Sequence, residues 1–195
     1  VRRDSFHDGM LSDLLDSKEA LEASLAEAES NGVPYSNTIA VEFAAEPMED
    51  DLYRKQACYR IGDRFFVDTA VHERNWIVKY GESGVAPEAR YEAELAAINS
   101  VPYGAVLRQV FDIAKIEYGR VDIGLYQGQP QFYEINTNPT VGFNTEHSSP
   151  ARVCSREQFV INYTEAMRAL DQSGPSGGAK IEMAGKFLKR QRRKA

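Results

Sequence analysis

The amino-acid sequence predicts an α+β fold in which helices pack on one face of an antiparallel sheet. Three observations support this prediction. Strand-like segments rich in Val, Ile, Tyr and Phe occur in pairs, separated by short turns that contain glycine. Helix-like segments carry apolar residues every three or four positions. The order along the chain is helix, strand, paired strands, two helices, paired strands and a final helix, which suits a layer of helices on a sheet.

The first elements are predicted from local signals. A helix begins after Ser17, a good N-cap, and ends near Gly32, a stop signal. The apolar side of this helix consists of Leu21, Leu25 and Ala28. Residues 38–43 (TIAVEF) are predicted to form a strand. Residues 52–67 are predicted to form an aromatic-rich hairpin around a Gly62-Asp63 turn.

Three further helices follow from periodicity. A short helix is predicted across residues 87–98, with proline in its first turn. A second lies between Tyr103 and Ile116, and the last begins after Ser155. The apolar stripes are Leu107, Val110, Phe111 and Ala114 in the middle helix, and Phe159, Tyr163, Met167 and Leu170 in the last. We interpret both stripes as core faces.

The second hairpin is predicted at residues 119–126 and 130–136, with a three-residue loop, Gln127-Gly128-Gln129. Such a loop places Asp122 directly across from Glu134, and Arg120 across from Asn136. Because side chains alternate along a strand, the opposite face is apolar. It carries Val121, Ile123, Leu125, Tyr133 and Ile135.

The polar face of this hairpin predicts a cation site. Two carboxylates that face each other repel, so a positive group must compensate. Arg120 does part of this, but a divalent ion suits the site better, because Mg²⁺ is usually held by one or two carboxylates plus phosphate oxygens. Asn136 adds a neutral oxygen ligand. The alternative is a polar face in water, with Arg120 and Asp122 as an ordinary exposed pair.

Asp122 and the later segment 134–139 (EINTNP) resemble the metal-binding end of the ATP-grasp superfamily. The resemblance implies that Asp122, Glu134 and Asn136 bind one or two Mg²⁺ ions that bridge the phosphates of ATP. It also implies that Arg120 contacts the transferred phosphate. The implied activity is that of a ligase that activates a carboxylate as an acyl-phosphate, which an amine or thiol then attacks. Its partners are therefore a small-molecule carboxylate and an amine or thiol acceptor.

The resemblance extends upstream more weakly. Glu42 and Phe43 match a Glu-aromatic pair that the family places over adenine, and Glu46 is a further candidate for the adenine amino group or the ribose hydroxyls. A solvated strand-end carboxylate explains each glutamate equally well. Lys79 falls where some family members present a cation to the phosphates. A solvated lysine at the end of a strand is the alternative.

The start of the chain differs from the family pattern. The chain has no initiator methionine and opens on charged residues, so we expect a fragment or a processed chain. Family members carry a phosphate-binding lysine here, followed by a small glycine-containing loop. In this sequence Arg2 or Arg3 takes the place of the lysine, and His7-Asp8-Gly9 that of the loop. The predicted domains are 1–36, a remnant of an incomplete small ATP-grasp subdomain; 37–170, the main subdomain; and 171–195, a flexible linker and basic tail.

Composition predicts a cytoplasmic protein without a membrane partner, because no apolar run is long enough to span a bilayer and no signal peptide is visible. Cys58 and Cys154 lack metal-ligand or redox spacing, so we expect both to be reduced and at least partly buried. Seven Lys or Arg and one Glu give residues 179–195 a charge of +6, which leaves −12 on the rest of a chain of total charge −6. Such an acidic body argues against a nucleic-acid partner. The tail is interpreted as a solubilising end.

Two other functions stay open. One is a nucleotide-binding regulatory module that lacks turnover, motivated by the missing lysine and by our expectation that the chain lacks the front domain of such enzymes. The other is a scaffold domain whose acidic surface and basic tail recruit partners. Only the first of these requires the hairpin carboxylates to bind an ion.

Overall fold

The structure, a computed structural model, describes residues 1–4, 10–143 and 146–171 and confirms an α+β fold with antiparallel sheets and helices. Its elements are β1 (Arg2–Arg3), α1 (Lys18–Ser30), β2 (Thr38–Ile39), β3 (Tyr53–Ile61), β4 (Arg64–Glu73), α2 (Glu88–Ala97), α3 (Gly104–Ala114), β5 (Tyr118–Tyr126), β6 (Gln129–Asn136) and α4 (Pro150–Leu170). The predicted His7-Asp8-Gly9 loop and the linker and tail beyond Asp171 lie outside the described residues. In the described part of the chain, no helix combines the length and apolarity needed to cross a bilayer.

The chain divides into two compact units. The first consists of residues 1–55, 71–85 and 123–132, and the second of residues 56–70, 86–122 and 133–195. In the first unit β1 and β2 form a two-stranded antiparallel sheet, with Arg2 opposite Ile39 and Arg3 opposite Thr38. The larger sheet has the strand order β4-β3-β5-β6. The domain boundaries predicted from the sequence stay a prediction.

The first three helices are confirmed, and the last begins earlier than predicted. Ser17 caps α1 by accepting a hydrogen bond from the backbone of Ala20 at 3.2 Å. In α4 the cap is Ser149, whose Oγ accepts from the Arg152 amide at 3.2 Å, and Pro150 occupies the first helical position. Ser155, the predicted start, lies inside the helix. A serine followed by proline is a start signal that the sequence interpretation overlooked.

The predicted strand at residues 38–43 is too long. Only Thr38 and Ile39 pair, because β1 offers them just two partner residues. Residues 40–43 form neither helix nor strand, and Val41 and Phe43 are 54% and 40% exposed. The hairpin of β3 and β4 is confirmed, and β4 continues well past its predicted end.

Helices of the second unit lie on both faces of the sheet, so the prediction of one covered face is wrong. Phe65 contacts Phe111 of α3, and its neighbour Phe66 contacts Phe159 of α4, each at 5.9 Å between ring centroids. Adjacent residues of a strand point to opposite faces, so α3 and α4 lie on opposite faces. Because helices cover both faces, the four consecutive residues Cys58–Ile61 are all buried, whichever face their side chains lie on.

Part of the predicted burial is also wrong. Met167 and Leu170 in the last turns of α4 are 41% and 49% exposed, and Ala114 in α3 is exposed, so each stripe is buried only in part. Cys58 is buried as expected, whereas Cys154 is exposed. Cys154 lies on the side of α4 away from the buried Phe159. The apolar character of cysteine alone therefore led to the wrong prediction that it is buried.

Candidate functional site

The candidate site begins at the hairpin of β5 and β6. Gln127 and Gly128 alone join the strands, so the predicted three-residue loop is wrong. Their φ angles of 53° and 70° are those of a two-residue turn whose twist matches the strands. Tyr126 and Gln129 therefore pair next to the turn, one residue away from the predicted register.

Glu46 explains why a glutamine tolerates positive φ in this turn. Its carboxylate accepts hydrogen bonds from the backbone of Gln127 at 2.6 Å and of Gly128 at 3.1 Å. In the structure the carboxylate of Glu46 therefore binds the turn. Its predicted role in ribose or adenine binding stays a prediction. This contact joins residues far apart in sequence, so local patterns carry no signal for it.

The opposite end of the hairpin has a different register. A methyl group of Ile135 lies 3.1 Å from the position that a Cβ on Gly119 would take, so both residues lie on one face. Unbroken pairing from a two-residue turn would put them on opposite faces. The pairing therefore shifts by one residue along the hairpin, as in a β-bulge. By alternation, Glu134 then lies on the face that carries Arg120 and Asp122. Neither register puts Asp122 directly across from Glu134 or Arg120 across from Asn136, so these two predicted pairings are wrong.

Gly119→Ala is expected to lower the free energy of unfolding by about 1 to 3 kcal/mol, as overpacking does. The new Cβ would lie 3.0 Å from the backbone oxygen of Asn136 and 3.1 Å from Ile135, and a strand backbone cannot easily move away. Urea unfolding followed by circular dichroism measures the change. Gly142→Ala is the control, because nothing lies within 4 Å of its Cβ position. Equal stabilities of the two variants would contradict the close approach.

Arg120 and Asp122 form a partly buried ion pair. The Nε atom of Arg120 lies 3.1 Å from Oδ1 of Asp122, and the two side chains are 23% and 6% exposed. Burial acts to lower the pKa of Arg120, but the Asp122 carboxylate and its other neighbours outweigh it and raise the pKa. The alternative of an ordinary exposed pair is therefore wrong for these two residues.

The other two predicted metal ligands have different surroundings. Glu134 is exposed, and Asn136 is half-buried with its side-chain oxygen accepting from the Asn138 amide at 2.8 Å. Among the described residues, no group of three or more His, Cys, Asp or Glu side chains is placed to hold a metal ion. Two carboxylates and an amide suit a Mg²⁺ ion completed by phosphate and water better than a cage of protein ligands.

Sequence reasoning missed two polar neighbours of Arg120. Tyr59 on β3 is fully buried, and its hydroxyl interacts with the guanidinium of Arg120. Asp68 on β4 accepts a hydrogen bond from the backbone of Thr69 at 2.6 Å. Burial raises the pKa of both groups, and the nearby cation of Arg120 opposes the increase. Their proximity depends on the strand order, which the sequence does not show.

A buried ion pair joins α2 and α4 beside this site. Arg152 pairs with Glu94, and the two side chains are 7% and 5% exposed. Both also bind the backbone of Ala70: Arg152 donates to its oxygen at 2.5 Å, and Glu94 accepts from its nitrogen at 2.6 Å. The pair therefore fixes both helices to strand β4.

Lys79 lies in the loop between β4 and α2, in the first unit. One carboxylate oxygen of Glu73 accepts hydrogen bonds from three consecutive amides, those of Lys79, Tyr80 and Gly81, at 2.8, 2.9 and 2.8 Å. Consecutive amides that converge on an anion form a nest, which fixes the local backbone. The path of the chain at Lys79 is thus set by Glu73.

The predicted site residues fall into both units. The first unit contains Arg2, Arg3, Glu42, Phe43, Glu46 and Lys79, and the second contains Arg120, Asp122, Glu134 and Asn136. Phe43 contacts Trp76 edge to face, at 5.3 Å between ring centroids. Comparison of the chain with protein-family models, curated proteins and solved structures finds no match. The ATP-grasp resemblance therefore stays a prediction.

Proposed function

We propose that this chain binds ATP with Mg²⁺ and is a ligase of the ATP-grasp type. In this proposal a small carboxylate is activated as an acyl-phosphate, and an amine or thiol attacks it. The observation that supports the proposal best is the adjacent, partly buried pair of Arg120 and Asp122. The face of the hairpin that carries this pair also carries Glu134 by alternation from Ile135.

The residues of the second unit have distinct proposed roles. Asp122, Glu134 and Asn136 would supply oxygen ligands to one or two Mg²⁺ ions, which when bound neutralise the charge of the phosphates. Arg120 would donate to the transferred phosphoryl group. Its planar guanidinium suits phosphate oxygens and is always charged at physiological pH.

The partly buried ion pair with Arg120 supports the proposed role of Asp122 as a metal ligand. Arg120 uses its Nε to hold one oxygen of Asp122, which fixes the carboxylate in one orientation. Catalysis of phosphoryl transfer depends mainly on such positioning and on electrostatic stabilisation, not on a protein nucleophile. In the first unit, Lys79 stays a prediction as a second phosphate contact, and Glu42, Phe43, Arg2 and Arg3 stay predictions as nucleotide contacts.

The proposal is tested by calorimetric titration of the chain with ATP, with and without Mg²⁺. We expect clearly tighter binding with the ion. A panel of small carboxylic acids with hydroxylamine as acceptor then tests turnover, since an acyl-phosphate is trapped as a hydroxamate while ADP is released. Binding that Mg²⁺ does not improve would contradict the proposal, and binding without ATP consumption would favour a regulatory module.

A further inference from the structure

A cleft of about 310 Å³ lies beside strand β4 in the second unit. The strand order β4-β3-β5-β6 makes β4 an edge strand. Helix α2 is joined to α4 by an ion pair, whereas α3 lies on the other face of the sheet. Residues 98–103, which connect α2 to α3, therefore pass around the outer edge of β4. The cleft is enclosed by this connection, by the first residues of β4 and by α4.

Part of the lining of the cleft is apolar. Phe66 and Ile98 are only 5% and 3% exposed, and Val101 is half-buried. Phe65 also lines the cleft, and the guanidinium of Arg108 lies 4.8 Å from the centroid of its ring. Ligand pockets begin at about 300 Å³ and combine apolar walls with a few polar groups that fix the ligand. The cleft therefore suits a small molecule of about one ring with a short substituent.

The polar part of the lining consists of Arg64, Asn99 and Asn162. The side-chain oxygen of Asn162 accepts a hydrogen bond from Gln158 at 3.0 Å, which leaves its amide nitrogen as a donor. Arg64 lies 3.6 Å from the carboxylate of Glu165, and both side chains are more than half exposed, at 53% and 59%. Such exposed pairs contribute little to stability, so another carboxylate can take the place of Glu165.

We propose that this cleft is a binding site for a small carboxylic acid that carries an aromatic ring or a branched apolar group. Arg64 and Asn162 donate hydrogen bonds to its carboxylate, since a planar guanidinium matches the two oxygens of a carboxylate. The apolar group lies against Phe66, Ile98 and Val101, where a ring can make edge-to-face contacts. None of these residues is assigned to ATP or Mg²⁺, so the site is independent of the proposed function.

The charges around Arg64 predict opposite effects for two substitutions. Glu165→Gln removes the anion that competes with the ligand for Arg64, so it should tighten binding of the acid. Arg64→Met removes the donor and keeps an apolar side chain of similar length, so it should weaken binding. Arg108, beside Phe65, adds positive charge near the cleft and favours an anion over a neutral ligand.

The site is tested by fluorine NMR titration of the chain with para-fluorobenzoate in the absence of nucleotide. We expect saturable binding that is about twofold to tenfold tighter in Glu165→Gln and weaker by a similar factor in Arg64→Met. Both substituted side chains are exposed, so both variants should fold. Arg168→Met is the matched control: it removes an exposed arginine of α4 that does not line the cleft, and we expect no change.

The position and the charge preference of the site are tested with the same probe. We expect nuclear Overhauser contacts from its ring to the methyl groups of Ile98 and Val101. Para-fluorobenzyl alcohol, which keeps the ring and lacks the charge, should bind about tenfold more weakly. The absence of saturable binding, equal binding of the two probes, or affinities that neither Glu165→Gln nor Arg64→Met changes would overturn the proposal. Because no nucleotide is present, a chain that fails to bind ATP leaves this result unaffected.

Discussion

Glu134→Gln is expected to remove most of the gain in ATP affinity that Mg²⁺ provides, a loss of about tenfold to a hundredfold. The substitution keeps the size of the side chain and removes the charge that the ion needs. Glu134 is exposed, so its loss should leave the free energy of unfolding nearly unchanged. Calorimetric titration of ATP with and without Mg²⁺ measures the gain for each variant.

Glu157→Gln is the matched control for this prediction. It makes the same chemical change at an exposed glutamate of α4, and we expect no effect on either titration. If Glu134→Gln keeps the full Mg²⁺ effect, Asp122 and Glu134 do not share an ion. Asp122→Asn is less informative, because it also removes the anion that Arg120 pairs with.

Arg152→Met is expected to lower the free energy of unfolding by about 3 to 5 kcal/mol, the cost of breaking one side of a buried ion pair. Glu94 would be left charged and only 5% exposed, and the backbone oxygen of Ala70 would lose a donor. Urea unfolding followed by circular dichroism measures this change.

Two comparisons make the Arg152 result specific. Arg64→Met removes an arginine whose partner, Glu165, lies 3.6 Å away at the surface, and we expect a loss of at most about 1 kcal/mol. The double variant Arg152→Met with Glu94→Leu should recover part of the stability, because no buried charge is left alone. A loss below about 1 kcal/mol in Arg152→Met would show that Glu94 reaches water or another cation.

The sequence predicts the helices and strands better than it predicts which parts of the chain lie next to one another. Ser17 and Gly32 mark the ends of α1 because caps and stops act within one turn of helix. The two-residue turn at Gln127 was missed because its stabilising acceptor, Glu46, lies far away in the sequence. Residues 38–43 have strand-like alternation, yet they form only a two-residue strand because a strand needs a partner of matching length.

The same distinction applies to the candidate site. Arg120 and Asp122 were grouped correctly, since they lie two positions apart on one strand and alternation puts them on one face. Tyr59 could not be assigned to this group, because it lies on β3, whose place beside β5 the sequence does not show. The same problem arises for the faces of the sheet that helices cover. Phe65 and Phe66 are both apolar, and only the positions of α3 and α4 show that the two side chains pack against different helices.

The carboxylate of Glu46 at the tip of the second hairpin has a consequence for folding kinetics. It closes a loop of 81 residues to reach the Gln127 amide. Closing such a loop costs chain entropy, and the stabilising contact forms only after the loop has closed. Contacts between residues that are distant in sequence therefore slow folding. The tip of this hairpin should therefore acquire its native shape late, after the strands that flank it have begun to pair.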